Sequence, residues 1–266
     1  MEANATAGEP AILRINASDV VEAFGKGLRD FQAAPLYGLA FGALYAAGGL
    51  AVVMSATALG MSYFAYPLAA GFALIGPFVA AGLYEVSRRR ERGEIPSAKE
   101  IWDRLRSRGE IGWMALVTVF VFIMWMYQAR FLMALFLGLN ASFGSLQQFI
   151  TIVLTTSEGL LFLLVGNIIG AALSLILFSL TAVSFPLLLD RDDIDFVTAM
   201  ITSVRAVVMN PGPMVGWALV IIVLLVVSVM PFFLGLLVTL PVLGHTTWHL
   251  YRRVVAPGTA AGPAAG

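Results

Sequence analysis

The sequence predicts an all-α protein, a polytopic transmembrane helical bundle of about six spans arranged as three hairpins, each preceded by a cytoplasmic amphipathic helix. Composition is the first observation behind this prediction. Hydrophobic residues make up 59% of the chain and charged residues only 12%, whereas a soluble domain has about 45–50% and about 25%. The second observation is that the apolar residues occur in long runs, and a helix needs about 20 of them to cross a bilayer.

Six apolar segments follow one another along the chain. They lie near 34–59, 63–86, 111–137, 159–189, 214–230 and 232–251. The last two come from one stretch, which we divide at Met230-Pro231 because proline lacks an amide hydrogen and disfavours a helical residue before it. One long kinked helix is the competing interpretation.

Basic residues between the apolar segments favour the division at Met230-Pro231 and predict the orientation of the chain in the membrane. Basic residues close to spans stay on the cytoplasmic side of a membrane. All but one of the 16 Lys and Arg residues share one side only if the last stretch crosses twice. Both termini are therefore predicted to be cytoplasmic, and the loop that carries Arg88, Arg89, Arg90 and Arg92 is predicted to contact anionic lipid headgroups.

Three segments have the apolar spacing of amphipathic helices, namely Ser18–Phe31, Ser97–Arg108 and Ile194–Met209. Ser97 and Glu100 form a capping-box pattern in the second. A short interfacial helix is expected between 139 and 158. Residues 18–255 are predicted to form a single transmembrane domain, flanked by a flexible N-terminus (1–17) and a disordered tail (256–266).

Charged residues off the cytoplasmic side are the first candidates for chemistry. Arg130 lies late in the third span, and Glu158 begins the fourth at the same level. One interpretation is an ion or proton site formed by the two residues. The other is a snorkelling arginine that pairs with Glu158 near the outer leaflet and fixes the hairpin, which is the interpretation we favour.

Two histidines share one helix face, since His245 and His249 are four residues apart. This spacing suits metal or haem ligation. However, the chain has no cysteine, and no acidic residue lies near these histidines in sequence. They are therefore only weak metal candidates, and a wet pair at the headgroup level is the preferred interpretation. No metal site, cofactor or catalytic residue is predicted.

Aspartates and small residues complete the candidates. The aspartates after span four are better explained by the start of a helix than by a metal site, because carboxylates favour the positive end of the helix dipole; they are Asp190, Asp192, Asp193 and Asp195. Two small-xxx-small pairs are predicted to allow close helix packing; they are Gly38 with Gly42, and Gly166 with Gly170.

Several motifs together resemble a known family. They are Tyr66–Phe72 running to Ile75-Gly76-Pro77, Gly82–Arg89, Pro186–Asp192, Thr202–Ala206, Asn210–Met214 and Gly244–Arg252. The chain resembles, over roughly Phe31–Val255, the bacterial integral membrane family known as domain of unknown function 2189. The resemblance implies a bacterial inner-membrane location and implies no activity.

The predicted function is that of a non-enzymatic accessory or scaffold protein of the inner membrane. The expected partners are the lipid bilayer and either another membrane protein or a second copy of the chain. A net charge of zero provides no basic field for nucleic acid. The alternative is a small-solute transporter or channel built from the three repeated hairpins, since proline-broken helices line binding sites in transporters.

Overall fold

The computed structural model describes residues 10–57, 79–138 and 146–257. Within these ranges every regular element is a helix, apart from one isolated β-bridge. Its helices are α1 (Ala17–Ala33), α2 (Pro35–Thr57), α3 (79–91), α4 (Ala98–Arg106), α5 (Gly109–Leu137), α6 (Leu146–Thr155), α7 (Ser157–Thr181), α8 (Ser184–Asp190), α9 (Phe196–Met209), α10 (Pro211–Val229) and α11 (Leu236–Val254).

The chain divides into two compact units by its internal contacts. The single transmembrane domain predicted over 18–255 stays a prediction. Unit 1 comprises Met1–Leu116 and Ser179–Gly266, and unit 2 comprises Val117–Phe178.

Three segments in the described ranges are long and apolar enough to cross a membrane, or four if α1 and α2 together form one bent span. The three are Gly109–Leu137, Ser157–Asp190 and Pro211–Val229. They correspond to the predicted third, fourth and fifth spans. The predicted second span, 63–86, lies mostly outside the described residues. The six-span arrangement therefore stays a prediction, whereas an all-helical chain with several apolar helices is confirmed.

A sharp bend separates α1 from α2. Their axes differ by 98° across Ala34. Ala34 precedes Pro35, and the residue before a proline disfavours helical backbone angles. A capping box starts α1, in which the Asn16 side chain accepts from the Asp19 amide and the Asp19 carboxylate accepts from the Asn16 amide. The result is an amphipathic helix nearly perpendicular to the apolar helix that follows it.

The capping box predicted for the second amphipathic helix does not form. Ser97 precedes α4 but makes no side-chain cap bond. The Glu100 carboxylate instead accepts a hydrogen bond from Arg89 Nη1 at 2.7 Å. The local sequence pattern was thus overridden by a charged partner on α3, because a charge-assisted bond is stronger than a neutral one.

Helix α11 is the central helix of unit 1 and packs against α1, α2, α8 and α10. Glycines let α2 approach it closely. A Cβ added at Gly42 would lie 2.8 Å from Leu237 Cα, and one at Gly38 would lie 3.0 Å from Pro241 Cβ. The predicted packing face of α2 therefore meets α11. Although α11 matches the predicted sixth span in position, it is not among the candidate spans, since its second half is polar.

The chain turns between α10 and α11 at the predicted place, Met230-Pro231. Phe232 and Phe233 have positive φ values of 52° and 66°, a conformation uncommon for bulky residues. The Ser228 hydroxyl lies 2.6 Å from Thr239 Oγ1 and ties the two helices together. The apolar stretch is thus two helices, and the single long helix is excluded.

The two ends of the described chain meet. Leu13 donates its amide hydrogen to the Val254 carbonyl at 2.7 Å, and Ala256 donates to the Ala11 carbonyl at 2.9 Å. The Asn210 side chain accepts from the Ile15 amide at 2.8 Å. These bonds hold part of the segment that the sequence predicted to be flexible.

Candidate functional site: a buried ionic layer

Unit 1 contains a buried cluster of paired charges, here called the ionic layer. It is formed by side chains from α1, α3, α8 and α11, namely Asp30, Glu85, Arg88, Arg89, Arg90, Asp190, His249 and Arg252. Charged side chains are rarely buried unless they are paired. The cluster is therefore the most unusual polar feature in the described part of this apolar chain.

Glu85 lies at the centre of the ionic layer, and its side chain is 0% exposed. Arg88 donates to its carboxylate through Nε at 2.6 Å and Nη2 at 2.8 Å, and Arg89 Nε donates at 2.9 Å. Residues three and four apart share one helix face, so α3 places both guanidiniums beside the carboxylate. Breaking such a buried pair leaves an uncompensated charge, which strongly destabilises a fold.

Asp30 joins α1 to α11 and α3. Its Oδ2 lies 2.7 Å from His249 Nε2, and its Oδ1 accepts a hydrogen bond from Arg90 Nε at 3.0 Å. Burial raises the pKa of Asp30, but hydrogen bonds with His249, Ser87 and Arg90 outweigh burial and lower it to about 2. The carboxylate is therefore ionised at neutral pH.

The two histidines have separate partners. His245 is fully buried, and its Nδ1 lies 2.8 Å from the hydroxyl of the buried Ser87, while its Nε2 has no hydrogen-bond partner. His249 contacts Asp30 instead. In the described ranges, no group of three or more His, Cys, Asp or Glu side chains is arranged to hold a metal ion. Because His245 is fully buried, the two histidines do not form the solvated pair that the sequence suggested. Their position at the headgroup level stays a prediction.

Asp190 ends α8 and binds α11. It accepts hydrogen bonds from the Tyr251 hydroxyl at 2.9 Å and from Arg252 Nη1 at 3.3 Å. Arg252 also donates to Glu91 at 3.3 Å. Burial lowers the pKa of Arg252, but the charges of Glu91 and Asp190 outweigh it, so the pKa is raised.

Two arginines that precede α5 bind the end of α8. Arg104 and Arg108 both donate to the Leu189 carbonyl, at 2.9 Å and 3.4 Å, and both pair with Asp192. Cations are favoured where helix carbonyls lack partners. Burial, followed by the charges of Arg104 and Arg88, lowers the pKa of Arg108 to about 10.

Asp195 begins α9, as expected for a carboxylate at a helix start. Its side chain accepts from the Thr198 amide at 2.7 Å, and this hydrogen bond lowers the pKa of Asp195. Asp190 and Asp192 therefore bind arginines and Asp195 binds a helix N-terminus. None of the four aspartates lies in a metal-holding group within the described residues.

The four arginines expected at lipid headgroups have carboxylate partners within the protein. Arg88 and Arg89 bind Glu85, and Arg90 binds Asp30. Arg92 lies 3.9 Å from Asp190. Their predicted contact with anionic lipid stays a prediction, and a headgroup at this place would compete with these ion pairs.

The family profile described as predicted integral membrane protein (DUF2189) matches residues 65–190. Over this segment, which is just under half of the chain, the sequence is similar to the DUF2189 family. The match is shorter than the resemblance expected over Phe31–Val255. No curated protein and no solved structure matches the chain.

The DUF2189 segment supplies five of the eight residues of the ionic layer. It holds Glu85 and Asp190, whereas Asp30, His249 and Arg252 come from helices on either side of it. The layer therefore depends on the docking of α1 and α11 against the family segment. In the described ranges its charges are paired with one another or with the neighbouring Glu91, Glu94 and Glu100, and these pairs connect α1, α3, α8 and α11.

Sequence reasoning missed Asp30, Glu85 and Ser87. Asp30 lies on the same face of α1 as the buried Ala23 and Gly27, and only the structure shows that this face is buried. A charge on the buried face of an amphipathic helix indicates a partner. Glu85 is one turn away from Arg88 and Arg89 in sequence, and this spacing is a signal for a counter-ion, but Glu85 also falls within the predicted span 63–86.

Unit 2 holds the remaining candidates. The Glu158 carboxylate accepts a hydrogen bond from the Ser157 hydroxyl at 2.9 Å. Among the described ion pairs, none joins Glu158 to Arg130. A Cβ added at Gly166 would lie 4.0 Å from Leu132, and one at Gly170 would meet nothing within 4 Å. The structure thus does not use this glycine pair for close packing within the described chain.

Unit 2 also has a cavity of about 200 Å³ between α5 and α7. Gln128 and Asn167 are its polar lining residues, among apolar ones such as Trp125 and Phe162. Asn167 donates a hydrogen bond to the Leu163 carbonyl of its own helix at 2.7 Å.

Proposed function

We propose that this protein is a non-enzymatic scaffold of the bacterial inner membrane, which binds another membrane helix along α7. The observation that carries the proposal is the uncovered surface of this helix. The segment Ser157–Asp190 is the longest candidate span, and none of its most apolar stretch is buried in the described structure. Gly166, Gly170 and Ser174 recur every four residues along it.

Small residues at this spacing favour helix association in lipid, because they let two backbones approach closely. An apolar surface alone is compatible with contact to lipid tails. The small-residue face is therefore the feature that favours a helix, and not lipid, against α7. The ionic layer supports a structural role as well. Its carboxylates and guanidiniums are paired. The contact of Ser87 with His245, which lies outside the layer, is fully buried, where a substrate would not reach it.

Engineered cysteines test this proposal cleanly, since the natural chain has none. Gly170→Cys and Ser174→Cys are expected to crosslink in native membranes to one protein, either a distinct partner or a second copy. Ile168→Cys is the matched control, because at about 100° per residue it lies on the opposite face at nearly the same depth. No crosslink from any position, or equal crosslinking from Ile168→Cys, would contradict the proposal.

The proposed topology has six spans with both termini in the cytoplasm. The hydrogen bonds between residues 11–13 and 254–256 support termini on one side, and the clustered arginines support the cytoplasmic side. A C-terminal reporter that fluoresces only in the cytoplasm should be bright, and a C-terminal alkaline phosphatase fusion should be inactive. The reverse pattern would contradict the orientation.

A second candidate function is a small-solute transporter or channel. The cavity that Gln128 and Asn167 line favours it, since polar groups at a gap in a span mark binding sites in transporters. Proteoliposomes should then swell faster than protein-free vesicles in an isotonic small amide, and Asn167→Leu should abolish the difference. Equal swelling of protein-containing and protein-free vesicles would rule this function out for that solute class.

A further inference from the structure

Helix α4 lies beside the first turns of α2 and leaves an apolar groove of about 330 Å³ between them. Its lining includes Tyr37, Phe41 and Leu44 from α2, and Ile101, Trp102 and Leu105 from α4. The Tyr37 hydroxyl donates to the Pro96 carbonyl at 2.7 Å and fixes the chain just before α4 against α2. The groove thus lies between an apolar helix, α2, and an amphipathic helix, α4.

Two cations border the groove. Lys99 and Arg106 lie next to Trp102 on the surface of α4, and both are exposed. At about 100° per residue, their helical positions adjoin the groove-lining face, whereas Asp103 and Glu100 lie further round. Glu100 is already paired with Arg89. The groove is therefore apolar inside and positively charged along one edge.

The two cations are not neutralised within the described chain. No ion pair joins Lys99 or Arg106 to a described carboxylate, and the Arg106 guanidinium lies 5.2 Å from the Trp102 ring centroid. This contrasts with the arginines of α3, whose charges are taken up by Glu85 and Asp30. Trp102 is 57% exposed beside them, and tryptophan next to basic residues is typical of a membrane–water interface.

We propose that this groove binds one anionic phospholipid, with an acyl chain between α2 and α4 and the phosphate beside Lys99 and Arg106. The apolar lining matches a hydrocarbon chain, and the two free cations match a net negative headgroup. A zwitterionic lipid carries a positive group in its headgroup, so its electrostatic attraction to the two cations is weaker. The proposal requires α4 at the membrane surface but no protein partner. The lipid-binding experiment can therefore contradict it without affecting the scaffold function, which the crosslinking experiment tests.

Native mass spectrometry of the full chain in mild detergent tests the site. The protein is titrated with phosphatidylglycerol or phosphatidylcholine of identical acyl chains. The first phosphatidylglycerol is expected to bind more tightly than the first phosphatidylcholine. Lys99→Glu with Arg106→Glu should weaken it by about 30-fold or more, from roughly tenfold per 1.4 kcal/mol and about 1 kcal/mol per cation.

The chain offers a matched control for charge. Lys26 and Arg29 are exposed basic residues of α1 in the same unit, and Lys26→Glu with Arg29→Glu changes the net charge equally. This double variant should retain the first phosphatidylglycerol. Equal loss in both double variants would overturn the proposal, because binding would then follow net charge alone.

A groove-filling variant tests the acyl chain separately. Ala98 lines the groove and is exposed, so Ala98→Trp should fold and yet exclude the lipid. Glycerol phosphate, which has the headgroup charge without the chain, should fail to compete. Unchanged binding in Ala98→Trp, or full competition by glycerol phosphate, would overturn the proposal.

Discussion

His249 Nε2 on α11 lies 2.7 Å from Asp30 Oδ2 on α1, although the two residues are 219 positions apart in sequence. The contact joins the first and last helices of the described chain. Asp30 also accepts from Arg90 of α3, so one carboxylate connects three helices. We expect unit 1 to be sensitive to the charge of this single side chain.

Asp30→Asn should destabilise unit 1 by about 2 kcal/mol at neutral pH, at 1.36 kcal/mol per pKa unit. The pKa of Asp30 is lowered from 3.8 to about 2, so folding favours the ionised form. Its contribution is complete above about pH 4 and is lost as the pH falls towards about 2. Denaturant titration in detergent at several pH values measures the effect.

The comparison of variants isolates this carboxylate from the others. Wild type should lose more stability than Asp30→Asn between pH 4 and pH 2, while Asp193→Asn, at an exposed position, should behave like wild type. Identical pH profiles for wild type and Asp30→Asn would show that Asp30 is not stabilised by its partners.

Glu85→Gln should be strongly destabilising, by about 3–5 kcal/mol, because it leaves the buried Arg88 and Arg89 without their shared carboxylate. Glu94→Gln is the matched control. Glu94 also pairs with Arg89, at 3.2 Å, but its side chain is 44% exposed, so its loss should cost less than about 1 kcal/mol. The free energies of unfolding of the two variants should differ clearly, and similar values would refute the burial argument.

Gly27→Ala should disrupt the packing of α1 on α11. A Cβ at Gly27 would lie 2.6 Å from the Thr246 backbone nitrogen, and backbone does not move aside cheaply. Overpacking of this kind costs about 1–3 kcal/mol or more. Thermal unfolding in detergent should show a lower midpoint for this variant.

Gly25→Ala, two residues earlier on the same helix, should have the opposite effect. Its Cβ would meet only Arg29 Nη1 at 3.5 Å, and alanine favours a helix over glycine by about 0.8–1 kcal/mol. A midpoint that falls equally in both variants would indicate that α1 does not pack on α11 in solution.

Asn210→Ala should free the N-terminal segment. The buried Asn210 side chain accepts from the Ile15 amide and donates to the Leu13 carbonyl at 3.0 Å. Losing both bonds should favour local opening by about 1–3 kcal/mol. Trypsin should then cleave after Arg14 about 10-fold faster or more, as followed by mass spectrometry. Asn167→Ala, which removes a bond within α7, should leave the cleavage rate unchanged.

The helices themselves were accessible from sequence because their signals are local. The amphipathic helix predicted over Ser18–Phe31 is α1, and the one over Ile194–Met209 corresponds to α9, which begins at Phe196. The break at Met230-Pro231 and the short helix α6 were predicted for the same reason, and the interfacial position of α6 stays a prediction. The spacing of apolar residues and the missing amide hydrogen of proline act within one or two helical turns. Both signals can therefore be recognised in the sequence of a single segment.

The ionic layer was not accessible in this way. Lipid contact was expected for Arg88, Arg89 and Arg90, because a cluster of arginines near a span resembles a headgroup site. Their carboxylates are Glu85, which lay inside a predicted span, and Asp30, about 60 residues away. Which charges meet depends on how helices dock, and the spacing of a single segment does not contain that information.

By itself, the sequence determined that this chain is all-helical, that its longest helices are apolar enough for a bilayer, and where several of those helices break. Hydrophobicity, proline geometry and helical periodicity are properties of short segments. Only the tertiary structure decided that Arg88, Arg89 and Arg90 bind Glu85 and Asp30, and that α11 is a packed central helix. It also decided that Lys99 and Arg106 have no ion-pair partner in the described chain and lie beside an apolar groove. Those outcomes depend on distances between side chains far apart in sequence, because the free energy of a buried charge is set by the partner that reaches it.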